Sequence, residues 1–266
     1  MTNVGFIGAG NMGAAIMKGI LSSDMSKDVS IYAYDKFEPA LEKVRAFGVN
    51  TAESSADVVK KCKYVFFAIK PQQLDEVLDE AAPEVTADNV IVSILAGVTD
   101  EYYAKRTVAG AKVVLVMPNT PFLLGEGATA LSRSDTVTDE EFDLVCKIFS
   151  SGGISKVIAK DKMKEIIAIN GSSPAFIYLY AQAFIDYAES VGIDGEVAKE
   201  LFSKSLIGSA KMITDSGKSI EELITMVSSK GGTTLAGLEK LREGDLHKTV
   251  EECCKACTKR AYELSK

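Results

Sequence analysis

Three glycines near the N-terminus, Gly8, Gly10 and Gly13, carry the spacing G-x-G-x-x-G. They follow the short apolar run Val4-Gly5-Phe6-Ile7 and open an apolar-periodic segment through Ala14, Ile16, Met17, Ile20 and Leu21. Strand, glycine turn and helix in this order form a setting in which the spacing does chemistry. Gly8 permits the tight turn, Gly10 lets backbone approach a pyrophosphate, and Gly13 lets helix and strand pack closely. Unpaired N–H groups and the positive dipole end at the helix start then face the phosphates. The turn, completed by Ala9, Asn11 and Met12, is expected to hold a dinucleotide.

A second anion-holding pattern lies far downstream, in Gly231-Gly232-Thr233-Thr234 ahead of another helical segment. Two glycines and two hydroxyl residues at a helix start can cradle an anion with backbone N–H groups and Thr oxygens. With a nucleotide site already present upstream, a small carboxylate is the fitting occupant. The competing reading is ordinary helix capping by threonine. No histidine–carboxylate pair stands out, and the single histidine, His247, falls in the terminal helical segment. Cys62, Cys146, Cys253, Cys254 and Cys257 are an odd, scattered set, unlike a disulfide framework. The last three are close together but lack a second ligand cluster, so no metal site is read from them. Reduced thiols in a cytoplasmic protein account for all five.

The elements that must position the first site alternate. A second strand is expected over 28–34, ending at Asp35-Lys36, roughly twenty residues beyond the last glycine, where a Rossmann unit places its ribose-reading residue. Asp35 can accept from a 2′-hydroxyl and repels a 2′-phosphate, whereas Lys36 attracts that phosphate, so NAD(H) and NADP(H) both stay open. Helices are expected over 39–47, 55–61 and 72–80, and strands over 64–69, 90–94 and 112–117. The run 64–69 is apolar throughout, as in a strand buried on both faces. It ends at Lys70-Pro71, and ligands of open α/β sheets lie outside the carboxyl ends of strands, which brings Lys70 to the cofactor. Thr99 and Thr138 are expected N-caps, and further strands are expected over 125–131 and 154–158.

Past Asp161 the strand signals vanish. Helices are expected over 163–170, 175–192, 194–216, 219–226, 235–242 and from 245 to the end. Strands first and helices second imply an α/β Rossmann domain over 1–160 and an all-helical domain over 161–266. The segment containing Phe176, Ile177, Leu179, Tyr180, Phe184 and Ile185 is apolar nearly all round and needs burial on more than one side. A second subunit is the expected cover, giving a homodimer through the helical domain. The net charge of −7 and the lack of a basic run exclude a nucleic-acid surface. No apolar run approaches the roughly 18 residues of a membrane span, so no membrane partner is expected.

Five stretches together resemble the pyrroline-5-carboxylate reductase family. They are Gly5-Phe6-Ile7-Gly8-Ala9-Gly10-Asn11-Met12-Gly13, Ala68-Ile69-Lys70-Pro71, Met117-Pro118-Asn119-Thr120-Pro121, Asn170-Gly171-Ser172-Ser173-Pro174-Ala175-Phe176 and Val227-Ser228-Ser229-Lys230-Gly231-Gly232-Thr233-Thr234. The resemblance implies reduction of 1-pyrroline-5-carboxylate to L-proline, the last step of proline biosynthesis, with NADP(H) or NAD(H). It implies cofactor contacts from the glycine turn, Asp35 and Lys36, Ser55, Ala68, Ile69, Lys70 and Pro71, and Ile94, Leu95 and Ala96. It implies that Gly231, Gly232, Thr233 and Thr234 hold the substrate carboxylate, with Thr233 and Thr234 nearest. Thr234 is expected to orient the ring near its nitrogen. Dimers interlocked through the helical domain, often assembled into decamers, are also implied.

Three positions depart from the family pattern: Lys230 where proline is usual, Ser173 where glycine is frequent, and Asp35 where a small polar residue is frequent. Two alternatives stand beside this reading. A β-hydroxyacid dehydrogenase-like oxidoreductase shares the N-terminal pattern but requires a lysine after the glycine-rich turn, where this chain has Pro174-Ala175-Phe176-Ile177-Tyr178. The other is a non-catalytic nucleotide-binding regulatory protein, for which Lys230 is the support.

Overall fold

Alternation of short apolar runs with amphipathic segments produces an eight-stranded sheet in the computed structural model, which describes residues 1–265. Its elements are β1 (Thr2–Ile7), α1 (Asn11–Leu21), β2 (Val29–Tyr34), α2 (Glu38–Arg45), β3 (Asn50–Thr51), α3 (Ser55–Lys61), β4 (Tyr64–Phe67), α4 (Leu74–Ala81), β5 (Val90–Ser93), α5 (Asp100–Arg106), β6 (Lys112–Met117), β7 (Gly127–Arg133), α6 (Asp139–Ser150) and β8 (Gly153–Val157). The strand order is β3-β2-β1-β4-β5-β6-β7-β8, parallel except between β6 and β7. Sequence order runs outward from β1 in one direction and from β4 in the other. The crevice where a ligand binds therefore opens between the carboxyl ends of β1 and β4.

The strands explain their own burial. Every residue of β4 and β5 is buried, as their apolar sequence demands, and the polar Ser93 at the end of β5 is buried with them. Successive side chains leave opposite faces of the sheet. Phe66 joins the layer holding Phe6, Ile16, Met17 and Phe149, and Phe67 joins the layer holding Val58, Leu74, Leu78 and Tyr103. Phe6 and Phe66 stack with ring centroids 4.5 Å apart. The helix starts follow local chemistry: Ser54 accepts from the Asp57 N–H, Thr99 from the Tyr102 N–H, and Thr138 from the Glu141 N–H. Strand β3 was not read from the sequence, because two edge residues carry no periodicity.

The helical remainder comprises α7 (Ser173–Ser190), α8 (Gly195–Asp215), α9 (Ile220–Met226), α10 (Thr233–Glu243) and α11 (Leu246–Glu263). Two compact units divide the chain, the first being Met1–Ser172 with the residues from Ala256 onward, the second Ser173–Lys255. This differs from a division at 160/161. Residues between 160 and 172 pack on the sheet, and a π-helical turn at Ile167–Gly171 presents Asn170 to it. The buried Asn170 amide donates to the Met117 carbonyl at 2.7 Å and the Ala128 carbonyl at 2.9 Å. The C-terminal end of α11 belongs to the first unit through the buried Ala261.

Glu141 shows how tightly the first unit is tied. Its buried carboxylate accepts from Lys112 Nζ at 2.8 Å and from the Thr138 N–H at 3.1 Å, and lies 3.0 Å from Lys63 Nζ. Burial alone would raise its pKa, but the Lys112 bond, the Thr138 N–H and Lys63 together hold it down at about 2. A depressed carboxylate contributes stability that is full above its unfolded value and lost as pH falls through the folded one. Glu141→Gln is expected to lower Tm by roughly 5–10 °C at neutral pH, since breaking a buried ion network costs about 3 kcal/mol. Thermal melts from pH 7 down to pH 2 should show the gap closing between about 4.5 and 2.

Candidate functional site

The turn after β1 is built by contacts that only glycine allows. Gly8 has φ +107°, and a Cβ there would lie 2.4 Å from the Ala68 carbonyl oxygen. A Cβ on Gly13 would lie 2.4 Å from the Gly8 carbonyl oxygen. These two positions bring α1, the turn and the end of β4 into direct contact. At Gly10 a Cβ would meet no heavy atom within 4 Å. The fold therefore does not need glycine at position 10, whereas a pyrophosphate lying on the backbone does. This open cradle, at a helix N-terminus with no side-chain cap, fits the phosphates of a dinucleotide.

The crevice beside the turn measures about 270 Å³. Of the residues expected at the cofactor, Gly8, Gly10, Asp35, Lys36, Ala68, Ile69 and Lys70 line it. Asp35 is not a free ribose reader. Its Oδ2 accepts from the Ala9 N–H at 2.7 Å and its Oδ1 from the Phe37 N–H at 2.9 Å. Each oxygen keeps a second lone pair for a sugar hydroxyl. Asp35 thus braces the glycine turn and fixes its own orientation at once. Lys36 is paired with Glu76 of α4. The Glu76 hydrogen bond holds the Lys36 ammonium above the ordinary lysine range.

Other expected residues lie elsewhere. Ser55 is 0% exposed and donates to Glu80 Oε2 at 2.5 Å, so its hydroxyl fastens α3 to α4 and does not line the crevice. Pro71 opens the 3₁₀ turn before α4, and Met12 packs against the core. Asn11 starts α1. At the end of β5, Ile94 packs on the core and Ala96 is exposed. Leu95 lines a different cavity of about 330 Å³ with Met117, Lys160 and Tyr262. Sequence reasoning missed Ile7, Tyr34, Gln73, Glu76 and Val77, which complete the crevice. Gln73 Oε1 accepts from the Lys70 N–H at 3.1 Å. Polar residues at a helix start carry no sequence signal that separates a crevice wall from a solvated face.

The second unit places Gly231-Gly232-Thr233-Thr234 at the start of α10. Gly231 has φ +70°, and Gly232 is the N-cap. Both threonines therefore lie inside the helix, and neither caps it. Side chains cap α3, α5, α6, α8 and α9, through Ser54, Thr99, Thr138, Asp194 and Ser219. No side chain caps α1, α2, α4 or α10, and of these α1 and α10 have glycine as the N-cap residue. Their first N–H groups are left for an external acceptor. Thr233 and Thr234 are exposed beside these groups. Cys257 Sγ lies 3.3 Å from Ser172 Oγ, and all five cysteines are free.

Residues 160–264 match the family model for pyrroline-5-carboxylate reductase dimerisation, and residues 3–97 match that for NADP oxidoreductase, coenzyme F420-dependent. The chain is 34% identical to the pyrroline-5-carboxylate reductase of Escherichia coli over 267 residues, covering 99% of this chain and 98% of that one. Among solved structures it resembles a pyrroline-5-carboxylate reductase from Coxiella burnetii, with TM-score 0.90, 29% identity, and 100% and 99% of the two chains covered. It also resembles the Plasmodium falciparum pyrroline carboxylate reductase with NADP bound, with TM-score 0.87, 27% identity, and 100% and 98% covered.

The glycine geometry makes two variants diverge. Gly13→Ala is expected to lower Tm by several degrees, since its methyl meets backbone at 2.4 Å. Gly10→Ala is expected to leave Tm nearly unchanged and to weaken dinucleotide binding by about tenfold or more. Thermal melts and calorimetric titration with NAD⁺ and NADP⁺ check both.

Proposed function

This chain belongs to the pyrroline-5-carboxylate reductase family, and from that premise we propose that it reduces 1-pyrroline-5-carboxylate to L-proline. The observation that carries the reading is the pair of glycine-started, uncapped helices, one in each unit. The first suits a pyrophosphate and the second a substrate carboxylate. A nicotinamide dinucleotide, when bound, supplies the hydride. Backbone N–H groups of Gly10 and of the first turn of α1 would hold its phosphates, with Asp35 facing the ribose and Ala68, Ile69 and Lys70 walling the crevice.

The loop Gly231-Gly232-Thr233-Thr234 holds the substrate carboxylate with the first N–H groups of α10. Thr234 orients the ring near its nitrogen, so that the imine carbon is presented to the incoming hydride. The C=N pair then moves onto nitrogen, which already carries its proton as the iminium or takes one from water. No acid–base side chain is needed, because the proton comes with the iminium or from water. Alignment of the reacting atoms is the protein's main contribution, and it supplies several kcal/mol. Lys230, exposed beside the loop, adds positive charge on the carboxylate's path.

The second unit assembles with further copies of the chain. On α7, Tyr178, Leu179 and Tyr187 are 62, 75 and 67% exposed, and only Pro174 and Ala188 of that helix are buried. An apolar surface of this size calls for a protein cover. The building block in this reading is a homodimer through the helical unit, which the family carries on to decamers. Residence in the cytoplasm fits five free cysteines. No helix among the described residues is long and apolar enough to cross a membrane.

Purified protein is expected to oxidise reduced nicotinamide only when 1-pyrroline-5-carboxylate is present, and absence of that dependence would sink the reading. Thr234→Ala should lower kcat/KM by roughly 10–100-fold without weakening dinucleotide binding; an unchanged kcat/KM removes Thr234 from the reaction. Leu179→Glu should convert the assembly to single chains of 28.5 kDa by light scattering, while the first unit still binds dinucleotide.

A further inference from the structure

The end of the crevice beside β2 carries the charges that decide which dinucleotide enters. Asp35 sits at the carboxyl end of β2 with its carboxylate fixed by two backbone N–H groups. It cannot turn away when the ligand changes. The cation next to it, Lys36, is the one positioned to neutralise a 2′-phosphate, yet it is joined to Glu76 of α4. Glu76 and Lys36 both line the crevice, so this ion pair is part of its wall. The remaining cation of the wall, Lys70, follows β4, and β1 separates β4 from β2. Near the adenosine ribose, one carboxylate is held in place and one ammonium is already balanced by another carboxylate.

Resting on the reductase reading above, we propose that this protein prefers NAD(H) to NADP(H), and that Glu76 sets the preference by holding Lys36 away from the 2′-phosphate. A ribose with free hydroxyls meets the unused lone pairs of Asp35 and gains hydrogen bonds. A 2′-phosphate meets the same fixed carboxylate and must compete with Glu76 for Lys36. The discrimination is electrostatic and local, between a dianion and a fixed anion at contact distance. Asp35 cannot be exchanged freely, since it also braces the Ala9 N–H. Glu76 is exposed on α4 and forms no part of the core, so its replacement isolates the charge from the fold.

The test is calorimetric titration of the full-length protein with NAD⁺ and NADP⁺ in the absence of substrate. The readout is the ratio of the two dissociation constants. The wild-type protein is expected to bind NAD⁺ about tenfold more tightly than NADP⁺. Glu76→Gln should free Lys36 and bring the ratio close to one, and Glu76→Lys should invert it in favour of NADP⁺. Equal or tighter binding of NADP⁺ by the wild type overturns the preference. An unchanged ratio in both variants overturns the role of Glu76. Binding of neither dinucleotide would overturn the dinucleotide reading itself, and this proposal with it.

Discussion

The backbone of β1 and the backbone after β4 meet without a side chain between them, and the first unit depends on that contact. A Cβ at Gly8 or Gly13 would overlap a carbonyl oxygen at 2.4 Å. Because no Cβ is there, α1 starts directly on the turn. The buried runs Val4, Phe6, Phe66 and Val92 hold the halves in register. Asp35 closes the arrangement from the β2 side by accepting from Ala9 N–H. Fold and ligand cradle are here one set of contacts, so a change at Gly8 or Gly13 removes both.

The second unit follows a different economy. Its helices are well formed and several are well capped, but they bury few of their apolar residues within one chain. Helix propensity and capping shape such a segment locally, while burial must come from another surface. Catalysis of a simple imine reduction asks for placement more than for acid–base groups.

Side-chain charge enters where discrimination is needed. Within the crevice wall the four charged residues are Asp35, Lys36, Lys70 and Glu76. Backbone amides that bind phosphate do not distinguish one dinucleotide from another. A carboxylate held by two N–H groups does, because it presents acceptors to hydroxyls and repulsion to a phosphate at the same point in space.

Much of this was legible in the residues themselves. The G-x-G-x-x-G spacing after an apolar strand, the buried run at 64–67 and the caps Thr99 and Thr138 each rest on interactions within a few residues of chain, which sequence order specifies. The start of a helix after Gly231-Gly232 was legible for the same reason. What the sequence left open needed residues far apart in the chain to meet. Ser55 meets Glu80, 25 residues away, through its hydroxyl. The division at 172/173, instead of near 160, follows from Asn170 reaching Met117 and Ala128. Glu76 joined the crevice only because α4 brings it to Lys36, 40 residues earlier. Local backbone chemistry was fixed by the sequence alone; the pairing of side chains across the switch point was decided by the tertiary structure, since only packing sets which distant groups share a wall.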